Sequence, residues 1–260
     1  MKLSSLALNA TSLCANEGAL ALPIAQAAGL KAVEITAGKS PRALIKPTIT
    51  KDELAEWKQK LAAHGLTALA LGAHRDLGNP EEFSAFETLL EKGQMLGCRL
   101  LTTAVPDTAD DERFMEGLAR AGRRAEELGL LIALETHGKR HGTGVSLLPF
   151  LQASPAVSLC YDTGNVLFYG GVSPLDDLPR CISHVGHMHL TDKAGAIDAW
   201  DFPALGKGMV DFAALFSLEG WQETLTASIE VEFTPAGATV EEVQAAVTES
   251  AHYLCTFPLG

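Results

Sequence analysis

Short apolar or β-branched segments recur along the 260-residue chain, and each is followed by a longer segment with helical periodicity. Their starts lie roughly 27 to 43 residues apart, which is the spacing of parallel strands joined by crossover helices. The strands predicted in this way span residues 2–9, 31–37, 66–73, 99–105, 130–137, 157–163, 184–190 and 227–233. A succession of eight strand and helix units leaves few folds open to such a chain.

The segments between the predicted strands carry signals for the beginning and the end of helices. Thr50 with Glu53 and Thr239 with Glu242 have the spacing of a capping box. Asn79–Pro80 is typical of an N-cap followed by proline in the first helical turn. Glycines that can adopt a left-handed C-terminal cap follow four helical segments, at Gly29, Gly65, Gly97 and Gly129.

Eight β/α units without a linker or a break in composition predict one closed (β/α)8 TIM barrel, an α/β fold, over residues 1–260. The open doubly wound sheet is the structural alternative. Its glycine-rich fingerprint is absent after the first strand, where the sequence is LNATSLCANEG. In a barrel the functional site lies at the C-terminal ends of the strands, so the residues that end each strand carry the functional prediction.

Composition and charge exclude several classes of protein. The formal net charge of −12 disfavours a nucleic-acid partner, because neutralising phosphates requires a basic surface. A run of about 18 apolar residues, as a membrane-spanning helix requires, does not occur, and MKLSSLALN suits a first strand better than a signal peptide. Five cysteines without a CxxC pair predict reduced thiols and a cytoplasmic location: Cys14, Cys98, Cys160, Cys181 and Cys255.

Acidic and imidazole side chains end the last four predicted strands. They are Glu135 and His137 in LETHG, Asp162 and Asn165 in YDTGN, His187, His189 and Asp192 in HMHLTD, and Glu230 and Glu232 in IEVEF. Burying such groups costs on the order of several kcal/mol unless they are paired or bind an ion, and carboxylates crowded at one barrel mouth repel each other. Oxygen ligands with one imidazole predict one divalent metal ion, Mn²⁺, Mg²⁺ or Co²⁺, with Zn²⁺ also compatible. For any one of them a hydrogen-bonded core residue is the alternative.

These motifs carry a resemblance to a known group of barrels. LETHG, DTGN, HMHLTD and SIEVE, in this order, resemble the strand ends of the xylose-isomerase-like superfamily. That superfamily includes sugar-phosphate isomerases and epimerases, ketose 3-epimerases, hydroxypyruvate isomerases and inosose dehydratases. The segment GKGMVDFAAL is similar to the one that precedes the last helix in those proteins. The resemblance covers residues 130–235, whereas the first half of the chain is similar only in its overall pattern.

The resemblance implies a ligand set and an acid/base pair. Glu135, Asp162, His189 and Glu230 would hold the metal ion, and Glu135 and Glu230 would face the substrate from opposite sides. One glutamate would remove a proton and the other would return one, through an enediolate that the metal ion stabilises. Glu232 shares a strand face with Glu230 and stays open as the ligand.

Further side chains are candidates for substrate binding, with a structural role as the alternative for each: His74, Glu34, His137, Asn165, His187 and Lys207. His187 precedes His189 by two residues, so it shares the same face of the strand and is expected deeper in the barrel. Asn165 and Thr191 stand where the family commonly has a histidine and a lysine. These two departures leave the identity of the substrate open.

The sequence predicts a metal-dependent isomerase or epimerase of a small sugar or sugar phosphate. A metal-dependent dehydratase of a hydroxy-keto substrate is the alternative, because it needs the same ion and a similar acid and base. The third interpretation, an apurinic-site endonuclease, would need more metal ligands on the early strands and a basic face. A non-catalytic sugar-binding barrel is the fourth interpretation. The expected partner is a small sugar or sugar acid, with neither nucleic acid nor membrane, and a homo-oligomer is compatible with a barrel of this size.

Overall fold

The computed structural model describes residues 1–13, 18–40, 43–233 and 238–259. Over these residues eight parallel strands form a closed barrel in chain order, and the first strand closes on the last. The predicted (β/α)8 TIM barrel is therefore confirmed, and the open doubly wound sheet is excluded.

Each observed strand overlaps one of the predicted segments. The strands are β1 (Ser5–Asn9), β2 (Ala32–Thr36), β3 (Thr67–Gly72), β4 (Leu100–Thr103), β5 (Leu131–Glu135), β6 (Val157–Asp162), β7 (Val185–Leu190) and β8 (Thr226–Ile229). The observed strands are shorter than the predicted ones, since pairing stops where each chain turns outward toward its helix. In β8 this places Glu230 directly after the strand rather than inside it.

Helices surround the barrel and vary widely in length. They are α1 (Ala21–Ala27), α2 (Lys51–Ala63), α3 (Pro80–Leu96), α4 (Asp111–Leu128), α5 (Gly144–Leu147), α6 (Thr163–Phe168), α7 (Pro174–Asp177), α8 (Phe212–Ser217) and α9 (Val240–Leu254). Short 3-10 helices lie at Ala10–Ser12, Gly18–Leu20, Phe150–Ala153, Leu178–Arg180 and Ile182–His184.

The predicted helix boundaries are confirmed by their cap geometry. Thr50 and Thr239 form capping boxes at the start of α2 and α9, and Asn79 caps α3. Gly97 and Gly129 end α3 and α4 with φ of 85° and 68°. Glycine is favoured at these two positions because a Cβ atom disfavours the left-handed region.

The core has a layer outside the barrel and a layer within it. The outer layer packs large apolar side chains of the helices, such as Phe86 of α3 and Phe114 of α4, against the strands. Small clusters contributed by successive strands comprise Ala70, Leu100, Ala133 and Cys160, and Ala7, Ala32 and Leu69. Five of these seven residues are alanine or cysteine, and their small side chains leave room inside the barrel for the polar groups nearer its C-terminal mouth.

The strand register brings polar residues of the late strands side by side. Asp162 of β6 pairs with His189 of β7, and His189 pairs with Ser228 of β8. Glu135 is the last residue of β5, and Glu230 follows β8 directly. Because all strands run in parallel, these ends meet at one mouth of the barrel.

Two further sequence expectations concern helices and thiols. Among the described residues, the helices are too short or too polar to span a lipid bilayer. Cys98, Cys160 and Cys181 are buried free thiols, and Cys255 is an exposed one. Cys14 lies outside the described residues.

Candidate functional site

A cavity of about 320 Å³ opens at the C-terminal ends of the strands. Its walls include Asn9, Glu34, Thr36, His74, Arg75, Thr102, Glu135, His137, Asp162, Asn165, His189, Thr191, Trp200, Phe202, Glu230 and Glu232. All four predicted metal ligands, and four of the six predicted substrate-binding residues, therefore lie in one place. His187 and Lys207 are the two that do not line it.

The predicted ligands surround one ring nitrogen. Glu135, Asp162 and His189 offer ligand atoms that lie within 4.8 Å of one another. His189 Nδ1 lies 3.1 Å from Glu230 Oε2, 3.4 Å from Glu135 Oε1 and 3.8 Å from Asp162 Oδ2. This buried nitrogen has no hydrogen-bond partner among the described residues. Three carboxylates around an orphaned nitrogen are a donor set that fits a divalent ion.

The electrostatics of the four groups also fit a cation. Burial and the neighbouring Glu135 raise the pKa of Asp162 to about 7. Burial also raises the pKa of Glu230 well above its ordinary value, with Glu232 adding to the effect. Burial acts in the same sense on Glu135, but His189 and His74 outweigh it and hold the pKa of Glu135 well below its ordinary value. Without a cation, such a cluster retains protons that an ion would displace.

Asp162 is oriented by its own position as a helix cap. It ends β6 and begins α6, where its Oδ1 accepts from the Asn165 amide at 2.7 Å, and its Oδ2 accepts from the Thr191 hydroxyl at 2.9 Å. Gly164 lets this turn approach β7, since a Cβ there would lie 2.9 Å from a Thr191 carbon and 3.0 Å from Phe202. The DTGN motif is thus a turn built to present one carboxylate.

Glu135 is held on both of its oxygens. Asn165 Nδ2 donates to Glu135 Oε1 at 3.0 Å, and His74 Nε2 donates to Glu135 Oε2 at 2.7 Å. The His74 side chain is 43% exposed whereas that of Glu135 is 5% exposed. The His137 ring contacts His74 edge-on and Tyr169 at a tilt, with ring centroids 5.3 and 4.8 Å apart. Asn165, which departs from the family pattern, therefore contacts a predicted metal ligand directly.

Glu230 has a partner that the sequence did not reveal. Asn9, at the end of β1, donates from Nδ2 to Glu230 Oε2 at 3.0 Å and accepts the Thr11 amide on Oδ1 at 3.0 Å. Barrel closure brings β1 beside β8, so this contact joins residues 221 positions apart. An asparagine at the end of the first strand was the one available signal. Glu232 lines the same cavity and pairs through its backbone with Phe202.

Glu34 lies at the base of the cavity, and His187 lies below it in the barrel interior. Glu34 accepts from Nε2 of His187 and of His189, each at 3.1 Å, and from the hydroxyls of Ser228 and Thr102, each at 2.7 Å. His187 is fully buried, and its Nδ1 lies 2.7 Å from the Thr226 hydroxyl oxygen. The substrate-binding role predicted for His187 is not supported, because the ring is enclosed by side chains of the barrel interior.

Lys207 is turned away from the cavity. Its Nζ pairs with Glu249 of α9 at 2.7 Å, on an exposed surface. Asp192 explains this orientation, since its buried carboxylate accepts the amides of Gly206, Gly208 and Val210 at 2.9, 2.7 and 3.1 Å. The segment is thereby clamped with Lys207 outward, so the substrate-binding role predicted for Lys207 lacks structural support.

Aromatic side chains form one wall of the mouth. Trp200, Phe202 and Phe168 contact one another edge-on, with ring centroids 5.2 to 5.7 Å apart. Phe202 is buried and Trp200 is partly exposed. An apolar wall beside a polar floor is typical of a site that binds the carbon face of a small polar ligand.

Sequence comparisons match this chain to one family model and to curated relatives. The model described as xylose isomerase-like TIM barrel matches residues 22–244. Inosose dehydratase 2 of Bacillus cereus is 34% identical over 87 residues, 31% of this chain and 28% of that protein. Inosose dehydratase of Lacticaseibacillus casei is 29% identical over 163 residues, 51% of each protein. The chain thus spans about half the length of these curated relatives or less.

Solved structures share the fold at low sequence identity. D-Psicose 3-epimerase with D-tagatose, from Clostridium cellulolyticum H10, has a TM-score of 0.76 at 15% identity and covers 98% of this chain and 100% of its own. The IOLI protein with a binding zinc atom has a TM-score of 0.71 at 20% identity, with 95% of each chain covered. At such identities the likeness concerns the barrel itself.

Proposed function

The chain belongs to the xylose isomerase-like TIM barrel family, and on this premise we propose that it is a divalent-metal-dependent isomerase or epimerase of a small polyhydroxy ketone. The observation that carries the proposal is the orphaned Nδ1 of His189, which faces Glu135, Asp162 and Glu230 in the cavity. These carboxylates extend from strands on either side of β7, so a substrate above His189 has an acidic group on each side.

Glu135, Asp162, His189 and Glu230 would hold the ion. Mostly oxygen ligands with one imidazole suit Mn²⁺, Mg²⁺ or Co²⁺, and the zinc atom described for one structural neighbour makes Zn²⁺ a compatible choice. When bound, the ion would act as a Lewis acid on adjacent carbonyl and hydroxyl oxygens and stabilise the negative charge that develops on proton loss.

Glu135 and Glu230 are suited to complementary parts in proton transfer. His189 and His74 hold the pKa of Glu135 low, whereas burial and Glu232 raise the pKa of Glu230, so the two carboxyl groups differ in their affinity for a proton. Two carboxyl groups whose environments push their pKa values apart are typical of an acid/base pair. Asn165 and His74 orient the first, and Asn9 orients the second.

The charge of the cavity favours an uncharged substrate over a sugar phosphate. Its described walls carry five carboxylates and one guanidinium, that of Arg75, which is already bonded to Glu82. A phosphate group is recognised by several convergent donors or cations, and Lys207 points elsewhere. A free ketose or a cyclic polyhydroxy ketone fits this charge and the cavity volume.

A dehydratase of the same substrate class is the second candidate. The curated relatives are named inosose dehydratases, and elimination of water from a hydroxy ketone begins with the same loss of a proton beside a carbonyl. His74 supports this candidate, because Glu135 raises its pKa against the effect of burial and makes it an acid at the cavity mouth.

The test is incubation of the purified protein with free ketoses, ketose phosphates and inososes in deuterated water, with and without added Mn²⁺. Deuterium incorporation at carbon with an unchanged carbon skeleton and no loss of water would establish the isomerase or epimerase. A dehydrated product would favour the lyase. Turnover that is equally fast after exhaustive chelation would overturn both proposals, since both require the ion.

A further inference from the structure

Glu34 is a completely buried carboxylate on β2 with four hydrogen-bond donors around it. His187, His189 and Ser228 all donate to Oε2, and Thr102 donates to Oε1. An ionised carboxylate offers about four acceptor sites and no donor. Each of its four donors comes from a late strand or from β4, so Glu34 joins opposite sides of the barrel with its acceptor capacity filled.

The His189 ring lies between this carboxylate and the candidate metal ligands. Its Nε2 is 3.1 Å from Glu34 Oε2, and its Nδ1 is 3.1 Å from Glu230 Oε2. Glu34 can only accept, so the hydrogen of a neutral His189 ring must reside on Nε2. The lone pair of the ring is then on Nδ1, the atom that faces Glu135, Asp162 and Glu230.

We infer that Glu34 is a positioning residue, which fixes the ring of His189 so that Nδ1 is the metal-binding atom. This inference rests on the proposed function, in which His189 is a metal ligand. A carboxylate that accepts from the second nitrogen of a ligating imidazole sets both the tautomer and the ring orientation, and its loss typically weakens metal binding about 10- to 100-fold. Glu34 thus acts through His189, with both of its oxygens already bonded to side chains of the barrel interior.

The network around Glu34 keeps it in that place. His187 is fixed by Thr226 on its far side, and Ser228 and Thr102 hold the carboxylate from β8 and β4. Nearby Cys160 and His187 form, with His189, a second group whose donor atoms lie within 4.8 Å of one another. The alternative to the positioning role is therefore that Glu34 joins this group as a ligand of a second ion.

The experiment measures Mn²⁺ binding by titration calorimetry for the wild type, Glu34→Gln, Thr102→Val and Asp162→Ala. Glu34→Gln is close to isosteric and keeps an oxygen but halves the accepting capacity, so the dissociation constant should rise at least about tenfold. Thr102→Val is the graded comparison, because it removes one of the four donors to Glu34 but leaves the contact between Glu34 and His189, so its dissociation constant should rise by less than that of Glu34→Gln. Asp162→Ala should bind no Mn²⁺.

A second measurement serves if Glu34→Gln does not fold. Histidine-selective ¹H–¹⁵N correlation on Zn²⁺-loaded wild type should place a hydrogen-bonded proton on Nε2 of His189 and the metal on Nδ1. Metal on Nε2, or unchanged Mn²⁺ affinity in a folded Glu34→Gln, would overturn the positioning role while leaving the proposed function intact. Two ions per chain, of which one is lost in Cys160→Ser, would overturn it by making Glu34 a ligand. A wild type that binds no divalent ion would remove the proposed function together with this inference.

Discussion

The late strands β5 to β8 and the early strands β1 to β4 contribute to the same cavity in different ways. The late strands end in the candidate ligands, Glu135, Asp162, His189 and, just beyond β8, Glu230. The early strands supply the groups that hold those ligands or their partners, namely Asn9 on Glu230, Glu34 on His189, His74 on Glu135 and Thr102 on Glu34. The candidate ligands therefore all come from the late half, whereas their hydrogen-bonding partners come from both halves, Asn165 and Thr191 being partners from the late half.

This division explains why the two halves differ in how easily their residues are recognised. A ligand must bring charge into an apolar strand, and such a residue stands out in LLIALE or ASIE. A supporting residue needs only one donor or acceptor at the right distance, and Asn9 or Thr102 is an ordinary residue at the end of a strand. We expect substitutions in the late half to remove activity and substitutions in the early half to reduce it.

The largest effect is expected for a substitution in the late half, at Glu230. Glu230→Gln removes one proposed acid/base group and one proposed ligand while keeping the shape of the side chain, so kcat should fall about 10²- to 10⁴-fold. Thermal unfolding should be little changed, because the amide keeps an acceptor for Asn9 Nδ2. Steady-state kinetics with a saturating divalent ion, alongside a melting curve, make the measurement. Wild-type kcat in a folded variant would exclude Glu230 from the mechanism, and Glu232→Gln would then be the next variant to assay.

A pH series tests whether the late-half groups bind the metal ion. The pKa of Asp162 is raised to about 7, and those of His189 and Glu230 are raised as well, so these groups hold protons as the pH falls. Each proton must leave before the ion binds, and Mn²⁺ affinity should drop below pH 7 by up to about tenfold per pH unit for each proton displaced. Calorimetry in two buffers of different ionisation enthalpy would count the protons released. A Mn²⁺ affinity that does not change between pH 5.5 and 8 would contradict the assigned ligands.

A smaller effect is expected in the early half. Asn9→Asp keeps the Oδ1 acceptor for the Thr11 amide but replaces the donor to Glu230 with a second negative charge. We expect about a tenfold loss in kcat, because the carboxyl of Glu230 loses its orientation and its proton is held more tightly. Asn9→Ala is the companion variant, since it removes both hydrogen bonds and should also lower the free energy of unfolding by about 1 kcal/mol. Full activity in both variants would mean that Glu230 is oriented by other groups.

The sequence predicted the barrel because the signals for its strands and helices are local. Strand periodicity, the Thr50 and Thr239 capping boxes and glycine C-caps such as Gly97 each depend on a few neighbouring residues. Barrel topology then follows from the number of units, since parallel strands with crossover helices close in chain order.

The sequence predicted the layering of the site less well, because layering depends on register. The register of β6 against β7 shifts between Leu159 and Cys160, and that of β2 against β3 shifts at Glu34. Residue parity placed His187 on the face of His189 and deeper in the barrel, but it left open whether the ring reaches the cavity. The Asn9 contact could not be predicted either, since it forms only when the barrel closes.

The smallest expected effect concerns a residue outside both groups. Lys207→Ala removes a lysine that pairs with Glu249 on an exposed surface, where such pairs contribute little. We expect kcat and KM for an uncharged ketose to stay within about twofold of the wild type. If Lys207 instead bound the phosphate of a substrate, its removal would raise KM for the phosphorylated ketose at least about tenfold. Parallel assays with a free ketose and its phosphate therefore give a sharp comparison. A selective loss with the phosphate would mean that the 206–210 segment moves on binding despite the Asp192 clamp, and Asp192→Asn, which weakens the clamp, would then change the same KM.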